Sequence, residues 1–167
     1  NLLSAIQACR PHGASGVYTR PAVNQVSETK SYCDEQHSHD LEFVATLPSG
    51  IHFLMSKSIP NRSAILGEHS AGINSFASIL AECASVFALG AENITIFYGP
   101  EDKSIAFNRS GSLFCNYHYF QQLHESPLRQ DPKAGRVDAL VYWWVILCHE
   151  LAHNLVSEHS SAHSYYT

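Results

Sequence analysis

The chain has 167 residues, a hydrophobic content of 45% and a formal net charge of -5. That length suits one domain, large enough to bury a core without covalent staples. The acidic balance excludes a sequence-independent nucleic-acid binder, which needs a basic face. Eleven histidines stand against ten lysines and arginines, an excess that directs the search toward metal ligands.

In chain order, Leu2–Cys9 has the composition of a short helix, and Pro11–Asp40 is a polar Gly-, Ser- and Pro-bearing loop or arm. Residues 1–10 lack the basic start and apolar centre of a signal peptide. Leu41–Thr46 and Ile51–Ser56 are strand-like, with Pro48-Ser49-Gly50 as the turn of a hairpin. Apolar residues at Ile73, Phe76, Ile79, Leu80, Cys83 and Phe87 mark an amphipathic helix over Ala71–Leu89, closed by Gly90. Ile94–Tyr98, Lys103–Asn108 and Ser112–Cys115 follow as short strands, separated by the turns 99–102 and 109–111. Tyr117–His124 is expected as a short helix and Glu125–Arg136, with two prolines and a glycine, as a loop. The last helix runs from Val137 to at least Ser157. This alternation is an α+β domain, with a small mixed sheet, helices and a C-terminal metal-binding helix expected last.

The last helix carries His149-Glu150-Leu151-Ala152-His153. Residues four apart share a helical face, so both imidazoles can reach one zinc ion. Glu150 points about 100° away, within reach of a water on that ion. Zinc lowers the pKa of such a water to roughly 7, and the glutamate then serves as general base and later as proton donor to the leaving amine. The apolar lead-in 139–148 is expected to bury the helix, with Trp143 and Trp144 in the core, and to dry one side of the site. The same run is too short to cross a bilayer, so no membrane partner is expected.

A third ligand is needed, and two histidines compete for the role. His159 follows His153 at the spacing of the extended metzincin motif, HExxHxxGxxH, with Val156 at the glycine position. In an unbroken helix His159 would lie about 80° off the His149 direction and roughly 9 Å above His153, so the helix must break before it. His163 is the alternative and needs a bend before Ser160.

The run Trp143–Val156, with His159, His163 and Tyr165-Tyr166-Thr167, resembles the C-terminal region of large fungal sacsin-like proteins, as do Ile73–Ala77 and Ile105–Asn108. Those proteins carry a histidine-kinase-type ATPase domain elsewhere, so the resemblance implies a piece of a longer chain with other domains as partners. The block HELAHN followed by His159 is similar to WLM-type metalloproteases, relatives of the Spartan proteases. That similarity covers about fifteen residues and implies a compact zincin-like fold with His159 as the third ligand, without a DNA role.

Other features carry less. Cys33, Asp34, His37, His39 and Asp40 match no structural zinc spacing and are best read as a polar loop. Tyr165 and Tyr166 are candidates for oxyanion donors or for simple packing. Five cysteines without a CxxC pair predict free thiols and an intracellular, cytoplasmic setting. The triplets beginning at Asn61, Asn93 and Asn108 match a glycosylation pattern frequent by chance. The function expected is hydrolysis of a peptide or protein substrate held along an exposed edge strand within residues 94–115. The rival expectation is a non-catalytic zinc-stabilised module, in which His149, His153, His159 and His163 close the site.

Overall fold

The computed structural model describes residues 40–154. The fold is α+β. Strands β1 (Leu41–Thr46) and β2 (His52–Ser56) precede helix α1 (Arg62–Val86). Strands β3 (Ile94–Tyr98), β4 (Ala106–Arg109) and β5 (Ser112–Asn116) follow, then helices α2 (Tyr117–Gln130) and α3 (Pro132–Ala152). The five strands form one mixed sheet in the order β1-β2-β3-β5-β4. Its centre, β2, β3 and β5, is parallel, and both outer strands run antiparallel to their neighbours. The expected hairpin joins β1 and β2, and β3 has the bounds read from its apolar run.

Strand alternation separates two faces. Phe53, Met55, Ile94, Ile96, Leu113 and Cys115 join the core beneath the helices. Phe97, Phe107 and Phe114 stack on the opposite face, with Phe107 and Phe114 paired in register. The β4–β5 turn holds Ser110 at φ 52° and Gly111 at φ 85°, the paired positive angles of a type I′ hairpin. The fully buried Asn116 anchors the loop leading into β4: its amide donates to Gly99 O at 3.0 Å and Ser104 O at 3.2 Å.

The helices differ from the sequence expectation at their ends. α1 starts at Arg62 rather than Ala71, because Ile65 and Leu66 are only partly buried and leave a weak periodicity. Residues 125–136 are not a loop. Pro127 sits inside the last turns of α2, and Pro132 occupies the first turn of α3, where its missing N–H costs nothing. Asp131 caps α3, accepting from Lys133 N at 3.0 Å and Ala134 N at 3.1 Å. At its other end α3 stops at Ala152, short of Ser157, with Asn154 in a turn. Trp143 is buried against Phe76 with ring centres 4.5 Å apart, whereas Trp144 is 41% exposed and stacks on Phe87. Trp144 is therefore not a core residue: α3 is apolar at every position from Ala139 to Cys148, and only part of that surface meets α1, α2 and the sheet. Val137, Val141 and Val145 share its outer face.

No described helix is long and apolar enough to cross a membrane. The expected helix Leu2–Cys9 and all of the arm except Asp40 lie outside the described residues.

Gly135 sets how closely α3 approaches α2. A Cβ there would lie 2.7 Å from Leu128 N and 2.8 Å from Pro127 C, both backbone atoms that cannot swing aside. Gly135→Ala should gain about 1 kcal/mol of helix propensity and lose about 1–3 kcal/mol to overpacking. A net fall in the urea midpoint is expected; an unchanged or raised midpoint would show that the two helices are not in this contact.

Candidate metal centre

Ala139, Trp143, Leu147 and Glu150 succeed one another at steps of four, four and three, so they share one side of α3. The first three are fully buried, and Glu150 ends the stripe at 2% exposure. The helix is therefore phased by its apolar side chains, and the phase turns Glu150 toward the sheet. His149 and His153 lie on the flank of that stripe, half-buried. Their rings stand 5.1 Å apart, centre to centre, at 88° to one another. Two imidazoles bound to one tetrahedral zinc at about 2.0–2.1 Å would have centres roughly 5.2 Å apart. The spacing of this pair fits a zinc ion.

Glu150 sits beneath the β4–β5 edge of the sheet. Its backbone carbonyl accepts from Asn108 Nδ2, on β4, at 2.8 Å. Its carboxylate is near enough to Cys115, on β5, to act on that thiol. Burial, the Glu150 charge and Cys83, in that order, hold the Cys115 thiol well above its ordinary range. Burial and then Glu82 push Cys83 up to about 11, and burial raises Cys148. Cys83, Cys115 and Cys148 are all free thiols, and Cys148 is half-buried rather than a core residue.

The described residues bring His149 and His153 together, with the buried Glu150 on the neighbouring side of α3. Among them no group of three ligand-type side chains converges. His159 and His163 lie outside the described residues, as do Tyr165, Tyr166 and the cluster Cys33, Asp34, His37 and His39. The edge strand within the stretch 94–115 is β4, last in the sheet order, with a strand partner on one side only among the described residues. Asn108 entered the sequence reading as the end of a strand, within Ile105–Asn108 and as a glycosylation triplet, but with no role at the site. The available signal was an asparagine inside an apolar strand, where that residue type is disfavoured.

Compared with known proteins, the chain matches no family model, no curated protein and no solved structure.

The packing of α3 on the sheet can be read through its thiols. At pH 8, an alkylating reagent should label Cys148 before Cys83 and Cys115, which should stay unmodified until guanidinium unfolds the chain, as peptide mapping would show. Labelling of Cys115 in the folded protein at the Cys148 rate would contradict the burial of the Glu150 side of α3.

Proposed function

We propose that the chain is a zinc-dependent metalloendopeptidase. The observation that carries the reading is the pair of imidazoles at metal-binding spacing, flanking a buried glutamate under a sheet edge. His149 and His153 would hold the zinc, with His159 as third ligand. The ion, when bound, supplies Lewis acidity to the scissile carbonyl and to the attacking water.

The chain's own residues supply the rest. An extended peptide adds to the outer side of β4 by main-chain hydrogen bonds, which fix its direction without demanding a sequence. Glu150 takes the proton of the attacking water and delivers it to the leaving amine, a role worth about 10²–10⁴ in rate. The apolar side of α3 keeps bulk water from the sheet side of the carboxylate, where Leu147 and Ala152 are buried. The free thiols support an intracellular, cytoplasmic setting, and the partner required is a peptide or protein substrate.

Glu150→Gln keeps shape and removes the base. This variant should retain one zinc per chain by elemental analysis and lose peptide hydrolysis by at least about a hundredfold, while the His149→Ala/His153→Ala double variant should lose the metal. Full zinc retention in the double variant would refute the ligand assignment. Undiminished hydrolysis in Glu150→Gln would refute the mechanism, and a zinc-loaded native chain inert toward every peptide would favour the non-catalytic module.

A further inference from the structure

We propose that Asn108 is a positioning residue: it ends the metal helix at its second histidine and fixes the edge strand above it. The functional half of this inference rests on the metallopeptidase reading; the structural half does not.

In a continuing α-helix the Glu150 carbonyl would accept from the N–H of residue 154, four residues on. Here the Asn154 N–H bonds Leu151 O instead, at 3.0 Å, a tightening by one residue. The carbonyl so released is taken by Asn108 Nδ2 at 2.8 Å. The same Nδ2 donates to Asn154 Oδ1 at 3.0 Å, and Asn108 Oδ1 accepts from Gly111 N at 3.2 Å in the hairpin turn. One amide therefore joins three places: the last turn of α3, the residue after His153, and the β4–β5 turn.

Only asparagine meets this geometry. The site needs two donations and one acceptance from the tip of a short side chain. Aspartate has no donor, serine has one, and glutamine carries its amide one carbon further out. The fully engaged amide also removes Asn108 from consideration as a glycan acceptor.

The consequence is geometric. Phe107 and Asn108 alternate across β4, so one strand supplies the aromatic face above and the clasp to the metal helix below. The clasp sets the height and register of the β4 edge relative to His149, Glu150 and His153. A peptide lying along β4 reaches Glu150 only if that height is held. A misplacement of about 1 Å at a reacting centre costs on the order of a hundredfold in rate. Without Asn108 the Glu150 carbonyl is free to take back the Asn154 N–H, and the chain leaving His153 changes direction.

The test uses Asn108→Leu, close in size and uncharged, and Asn154→Ala, an exposed change that removes only the outer contact and leaves folding untouched. Zinc affinity by chelator competition should fall by about 10- to 100-fold in Asn108→Leu, the scale of groups that orient metal ligands, and by less in Asn154→Ala. Hydrolysis should lose kcat with KM little changed, because the β4 main chain that binds peptide is intact. Amide hydrogen exchange at Gly111, whose N–H loses its Asn108 Oδ1 acceptor, should quicken at least about tenfold in Asn108→Leu, the change expected when a local hydrogen-bonded structure opens by about 1.4 kcal/mol. Zinc affinity and kcat within twofold of native in Asn108→Leu would overturn the functional half. Unchanged exchange at Gly111 would overturn the whole. If the native chain binds no zinc and cleaves nothing, the metallopeptidase reading fails, and the exchange measurement alone decides the clasp.

Discussion

The burial of Trp143 and Leu147 determines the rotation of α3, and the candidate site follows from that rotation. A fully buried indole of this kind is worth about 3–5 kcal/mol relative to alanine. Its N–H finds no hydrogen-bond partner among the described residues, a penalty of about 1–3 kcal/mol. The packing term wins, so the ring stays against Phe76 and holds the helix in one phase. Cys83 reinforces it from α1, its thiol donating to Leu140 O at 3.5 Å. Given that phase, Glu150 has to face the sheet, and His149 and His153 have to lie on the flank. The placement of the candidate site at the end of α3 is thus fixed by apolar residues in its middle.

The second requirement is a sheet edge held over the helix end. A four-residue strand on the outside of a sheet is weakly held by its one ladder. Two asparagines supply what the ladder lacks. Asn116 closes the loop that returns the chain to β4, and Asn108 ties β4 to the last turn of α3. Both are side chains that bond backbone groups far away in sequence, so each converts a loop or edge into a fixed point. The positive-φ pair Ser110–Gly111 turns the chain tightly enough that β4 and β5 stay in register beneath Phe107 and Phe114.

Much of this was legible in the residues themselves. The strands β1, β2, β3 and β5 are short apolar runs punctuated by Pro48–Gly50, Gly99–Pro100 and Ser110–Gly111, so period and turn chemistry agree. The closeness of His149 and His153 on α3 is readable because a spacing of four and helical pitch coincide. The errors have definite causes. Residues 125–136 looked like a loop because prolines break helices in general, yet Pro132 stands where a helix begins and Pro127 near where one ends. Trp144 looked like core because a run apolar at every position does not reveal which side meets the sheet. Helix α3 looked longer because nothing local to Ala152 stops it; the stop comes from Asn108, distant in sequence. That tie is a tertiary effect, invisible to any window along the chain.

The central claim is that α3 presents His149 and His153 to one zinc ion in a site open to water, beside a general base. X-ray absorption at the zinc edge of the loaded native chain tests it most directly. The account predicts four light-atom ligands, three of them imidazole nitrogens at about 2.0–2.1 Å and the fourth an exchangeable oxygen. A shell of four protein ligands with no exchangeable oxygen, or a sulfur scatterer at about 2.3 Å from one of the cysteines, would contradict it.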